Sequence, residues 1–132
     1  MFFLSGVQAL HAENQPEGLF VNLTSDDVWR ANMALSFAAA NIKAGHPVTV
    51  FLNVTGVRLA VPKVPASSDG VTGKTAQQLL QEILDAGGKV IVCPMCLKHS
   101  GFTPEDLMPG TTLGKPEITL PALYGSAKVM SY

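Results

Sequence analysis

Cys93 and Cys96 are the only cysteines in the chain, and they stand in the run Val92-Cys93-Pro94-Met95-Cys96-Leu97-Lys98-His99-Ser100-Gly101. Two thiols at C-x-x-C spacing meet across one helical turn. One can then attack a sulfur donor while the other resolves a mixed disulfide or an oxidised sulfur. Pro94 suits the first position of a helix, which puts Cys93 at a helix N-terminus. Orphan N–H groups and the positive dipole end favour the thiolate there, the nucleophilic form. The expectation is a nucleophilic Cys93 with Cys96 as its partner thiol.

Other chemistry at these residues is less well provided for. His99 extends the motif to Cys-x-x-Cys-x-x-His, three soft ligands where a structural zinc site wants four. The chain has no second cysteine pair, and its other histidines are His11 and His46. His46, between Gly45 and Pro47, reads as a turn residue, so no metal is expected. Thioredoxin-type C-x-x-C follows an early strand and opens a long helix. Here the motif follows the third strand, and its helix lasts only to Gly101. Neither a G-x-G-x-x-G fingerprint nor a phosphate-binding lysine loop occurs, so no cofactor is expected. A non-catalytic module with packed thiols stays open, since free cysteines are often buried.

The elements that must position Cys93 can be read in order. Leu19 to Leu23 reads as a strand, and Asp26-Asp27 as caps for a helix from Val28 to Ala44. Its Val28, Ala31, Leu35, Ala38, Ala39 and Ile42 recur at helical spacing. Gly45 and Pro47 end it. Val48 to Val54 is a second strand, β-branched and apolar on both faces, as in a parallel sheet. Thr55-Gly56 breaks it, with a short turn from Val57 to Val61. Residues 62–73 form a loop long enough to be functional or mobile. Lys74 to Ala86 reads as the next helix and Lys89 to Val92 as the third strand. A brief strand at Thr111 to Leu113, a short helix from Glu117 to Tyr124 and a last strand from Ala127 to Ser131 complete the chain.

Strands alternating with helices indicate a single α/β domain with a mostly parallel, five-stranded sheet between helical layers. Ligands bind such sheets outside the carboxyl ends of the strands. The chain segments leaving those ends are Thr24 to Asp27, Asn53 to Gly56, and Cys93 onwards. Thr24, Ser25, Asn53, Gly56 and His99 are thus candidate substrate or partner contacts beside Cys93.

The chain has 132 residues, 47% of them hydrophobic and only 14% charged, with a net charge of −1. So apolar a surface suggests burial against copies of itself. No run of Lys or Arg exists, which argues against nucleic acid as a partner. No apolar run reaches bilayer-spanning length, so no membrane insertion is expected. Residues 1–17 read as an N-terminal arm or a signal-like remnant, and 18–132 as the domain. Met1 to Leu10 is mostly apolar, but no basic residue precedes Arg30. A cytoplasmic location is expected, or a periplasmic one if the segment is a signal remnant.

From Leu19 to Tyr132 the chain resembles the DsrE/DsrF/DsrH-like (YchN-like) sulfur-relay family. The likeness rests on Ala44-Gly45-His46-Pro47-Val48, on Val50-Phe51-Leu52 leading into Gly56-Val57, on Val92-Cys93 with Gly101 eight residues later, and on Lys128-Val129-Met130 after Gly125-Ser126. The resemblance implies a flavodoxin/Rossmann-like three-layer sandwich that assembles as a homotrimer or homohexamer. It implies that Cys93 accepts sulfur as a persulfide from a donor protein and passes it to an acceptor. Many relatives carry a small residue where this chain has Cys96. Lys98-His99-Ser100 stand where some family sulfurtransferases are more basic, which argues against a role in tRNA thiolation.

Overall fold

The computed structural model describes residues 16–132; residues 1–15 of the N-terminal reading, His11 among them, lie outside these residues. Five strands form one all-parallel sheet: β1 (Leu19–Leu23), β2 (Val48–Leu52), β3 (Lys89–Val92), β4 (Thr112–Leu113) and β5 (Lys128–Ser131). Their spatial order is β4-β3-β2-β1-β5. The chain therefore steps outward from β1 to β4, then crosses back to place β5 on the far side of β1. Right-handed crossovers in opposite directions put helices on opposite faces.

The first face is covered by α1 (Val28–Lys43) and α2 (Ala76–Asp85). Asp27 caps α1 by accepting from the Arg30 N–H at 2.9 Å. Ala31, Ala34, Leu35 and Ala38 form its buried stripe, and the alanines let it lie close to the sheet. Thr75 and Gln78 form a capping box on α2, whose Leu79, Leu80 and Ile83 are buried. Strand side chains alternate between faces. Val21, Leu23, Val50, Leu52, Val90 and Val92 join the cluster under α1 and α2. Each wholly buried leucine here, such as Leu23, Leu35, Leu52 or Leu80, contributes about 2 kcal/mol of transfer free energy.

Phe20, Thr49, Phe51 and Ile91 point to the second face. The Phe20 and Phe51 rings lie 6.0 Å apart and tilted by 43°, a favourable aromatic arrangement. This face is covered by α4 (Pro116–Tyr124), whose Ile118, Pro121 and Ala122 line a cavity with Ile91. No residue of α4 is fully buried, so the layer is thin. Leu120 stays 48% and Val129 53% exposed, and Phe51 only half-buried.

Most boundaries lie within one residue of expectation; the larger differences fall at the end of β2 and at the start of α2. β2 stops at Leu52, and a 3-10 helix runs over Val54–Ala60 instead of a turn from Val57. The cause lies in Gly56, where any Cβ would collide with the carbonyl oxygen of Leu23. Glycine there lets the chain pass close under the end of β1, where the Asn53 N–H donates to the Leu23 carbonyl at 3.1 Å; Val54 stands at φ +52°, which a β-branched residue rarely adopts. The second helix begins at Ala76, two residues later than expected, because Thr75 serves as its cap.

Candidate functional site

Cys93 sits at the carboxyl end of β3. Its N–H donates to the Leu52 carbonyl at 2.9 Å, which extends the β2–β3 ladder by one bond beyond Leu52↔Val92. Val92 faces the core, so alternation turns Cys93 to the second face, the side of Phe51. There it lines a groove of about 340 Å³ with Phe51, Met95, Lys115, Thr119 and Leu120. The thin cover by α4 leaves this groove open.

The chain then folds into α3 (Pro94–His99), with Pro94 at its first position and Cys93 as its cap. The Cys96 N–H donates to Cys93 Sγ at 3.3 Å, and the Leu97 N–H to the Cys93 carbonyl at 3.0 Å. Leu97 is buried and anchors this short helix to the core. Gly101, at φ +84°, ends it, and the Phe102 N–H closes the last turn onto the Leu97 carbonyl at 3.1 Å. This is a glycine-terminated helix end of the kind that satisfies orphan carbonyls. Arg58 and Lys63 stand over the Phe102 ring at 5.9 and 5.3 Å, and so tie the 3-10 helix and the loop after it to the cysteine turn.

Both cysteines are half-buried and free. The electrostatics overturn one expectation. Burial pushes the Cys93 thiol above its ordinary pKa, and the Cys96 thiol beside it adds to the rise. The Cys96 and Met95 N–H groups pull the other way and do not prevail. A cap sulfur facing two donors is not enough to favour the thiolate when an apolar groove and a second thiol surround it.

The other expected contacts divide. Asn53 lies beside Cys93 at the sheet edge, its side-chain amide donating to Asn22 Oδ1 at 2.6 Å and to the Phe51 carbonyl at 3.3 Å. Asn22 in turn donates to Ser131 Oγ at 3.3 Å, so a polar ladder crosses three strands on the Cys93 face. Thr24 and Ser25 serve the chain itself: the Thr24 hydroxyl donates to the Tyr132 carbonyl at 2.7 Å, and Ser25 Oγ accepts from the Asp27 N–H at 3.1 Å. Gly56 is a buried close-approach position. His99 is exposed in the last turn of α3. Among the described residues no three Cys, His, Asp or Glu side chains converge as a metal site. A smaller cavity of about 90 Å³ lies under the 62–73 loop, lined by Asp26, Arg58 and Gln77 and by neither cysteine.

Sequence reading missed Phe51, Met95, Lys115, Thr119 and Leu120 as groove residues. Part of the signal was available. Phe51 stands two residues before Asn53 and pairs with Ile91, two before Cys93, so alternation alone puts it on the cysteine face. Lys115 to Leu120 follow β4, the neighbour of β3, and leave the same sheet edge.

The chain belongs to the DsrE/DsrF-like family, whose model matches residues 18–123. No curated protein matches the chain. Solved structures do. The ychN protein from E. coli shares 16% identity, with 88% of this chain and 99% of that one covered and a TM-score of 0.74. A protein of unknown function from Methanobacterium thermoautotrophicum (MTH1491) shares 18%, with 88% and 99% covered and a TM-score of 0.66. A conserved protein of unknown function from Bacteroides thetaiotaomicron (BT1422) shares 19%, with 88% and 95% covered and a TM-score of 0.62. At these identities the likeness is one of fold.

Proposed function

We propose that in this DsrE/DsrF-like chain Cys93 carries sulfane sulfur as a persulfide and hands it to an acceptor thiol. The observation that carries the reading is the place of Cys93: at the carboxyl end of a central parallel strand, with its side chain in the wall of an open groove. Cys96 lies in the turn behind it and is not part of that wall. Membership of a family generally given to sulfur relay supports the same reading.

The chemistry needs no resident cofactor. The Cys93 thiolate attacks the outer sulfur of a donor persulfide. A new S–S bond forms, the donor's S–S bond breaks, and its electron pair leaves with the donor thiolate. An acceptor thiolate then takes the outer sulfur in the same way, which returns Cys93 to the thiolate. Alternatively the Cys96 thiolate attacks Cys93 Sγ, forms a disulfide and expels hydrosulfide; an outside thiol must then reduce the disulfide.

Self-assembly belongs to the proposal. On α1, Trp29 is 80% and Met33 50% exposed at helical spacing, and Tyr124 on α4 is 82% exposed. Such large apolar side chains suit an interface between copies. The acceptor is proposed to be a protein or a small thiol, and the donor a protein persulfide or a polysulfide. Among the described residues no helix is long and apolar enough to cross a membrane.

Cyanide tests the carrier directly, because it removes sulfane sulfur as thiocyanate. Protein pre-loaded with a persulfide donor should release thiocyanate, and Cys93→Ser should release none. Equal release from both would end the proposal. A second reading, thiol–disulfide exchange, draws on the contact between Cys96 and Cys93 Sγ. A Cys93–Cys96 disulfide formed by donors with no sulfur loading would favour it.

A further inference from the structure

The groove beside Cys93 has a chemical character that the carrier reading leaves unused. Its walls are Phe51, Pro94, Met95, Pro116 and Leu120, and among the described residues Lys115 is the single charged one in its lining. No arginine or run of polar donors is present to hold a zwitterionic peptide thiol such as glutathione. At about 340 Å³ the space lies at the small end of ligand sites, roughly 300–1,000 Å³. Soft sulfur atoms pack well against aromatic rings and thioethers, which Phe51 and Met95 offer.

We infer that the groove takes an inorganic polysulfide chain as the direct sulfur donor to Cys93, with its apolar sulfurs against Phe51, Met95 and Leu120 and an anionic end toward Lys115. The inference rests on the carrier reading of Cys93. The Cys93 sulfur, as thiolate, attacks the protonated terminal sulfur of the chain, and the S–S bond joining that sulfur to the next one breaks. The electron pair leaves on the shortened polysulfide, which takes up the proton lost by the thiol. Nothing is oxidised or reduced overall, since one sulfane sulfur moves from chain to cysteine. The rise in the Cys93 pKa is compatible with this, because a polysulfide is itself a strong sulfane donor and leaves as a stable anion.

The test compares two donors, inorganic polysulfide and glutathione persulfide, on full-length protein. The rate of Cys93 persulfide formation is read by trapping and mass spectrometry. Each rate is divided by that of free N-acetylcysteine with the same donor, which removes intrinsic reactivity. Wild type should favour polysulfide by about tenfold, the factor that partial burial of one apolar side chain's worth of ligand provides. Leu120→Gln, which adds polarity to the groove wall without adding charge beside the thiol, should lose about that factor with polysulfide. Its glutathione persulfide and iodoacetamide rates should fall by much less. Lys115→Gln should lose about threefold with polysulfide, as expected for an exposed ion pair, and the difference should vanish at high salt. Equal normalised rates for both donors in wild type, or equal slowing of both by Leu120→Gln, would overturn the inference and leave Cys93 a carrier. No loading from either donor would remove the carrier reading and this inference with it.

Discussion

The Cys96 N–H donates to the sulfur of Cys93 at 3.3 Å, so the atom proposed to carry the chemistry also caps the helix that follows it. Serine is a strong helix cap and alanine is not; the difference is about 1 kcal/mol. Cys93→Ser should therefore unfold at the wild-type temperature and carry no sulfur. Cys93→Ala should carry none either and melt a few degrees lower. An alanine variant as stable as wild type would show that the cap contributes nothing.

The raised thiol pKa of Cys93 sets a pH dependence. Burial favours the neutral thiol, so the reactive thiolate grows about tenfold per pH unit until the folded pKa is reached. Alkylation of Cys93, followed by peptide mass spectrometry, should still be climbing at about pH 8.5, the ordinary cysteine value. A plateau near neutrality would contradict it.

Cys96 contributes to that rise through its side chain, while its backbone N–H lowers the pKa. Cys96→Ala removes the first and keeps the second. Its Cys93 should alkylate faster than wild type at pH 7, and slower labelling would count against the role assigned to the neighbouring thiol.

Val54 stores strain at the end of β2, with φ at +52° on a side chain that is 56% exposed. Asn tolerates that region far better. Val54→Asn should raise stability by about 1 kcal/mol, read as a higher denaturant midpoint with an unchanged slope. A loss of stability would mean that the exposed valine packs usefully.

Gly56→Ala should act in the opposite direction. Its Cβ would meet the Leu23 carbonyl, backbone that cannot swing aside, and a loss of at least about 2 kcal/mol is expected. A neutral effect on the denaturant midpoint would show that the 3-10 helix shifts freely.

The parallel sheet was legible because Val48 to Leu52 is rich in β-branched residues and Val90 to Val92 wholly so, and because Gly45 and Pro47 punctuate so sharply. Cys93 was legible as the candidate site because a strand ran straight into the only cysteines. The chemistry of its surroundings was not. The rise in its pKa depends on burial beside Phe51 and the α4 layer, and sequence spacing does not report how thickly a helix covers a face. Gly56 read as a loop contact for the same reason: a glycine in a turn and a glycine held under a carbonyl look alike until the strands are placed. Lys115 and Leu120 reach Cys93 only through the β3–β4 pairing, and β4 is just two residues long.

The most direct test of the account is the intact mass of the protein, prepared without reductant, before and after exposure to a persulfide or polysulfide donor. The account predicts a species heavier by whole sulfur atoms, reversed by reductant and absent from Cys93→Ser. A wild-type protein that stays at its original mass, or a Cys93→Ser variant that gains sulfur equally, would contradict it.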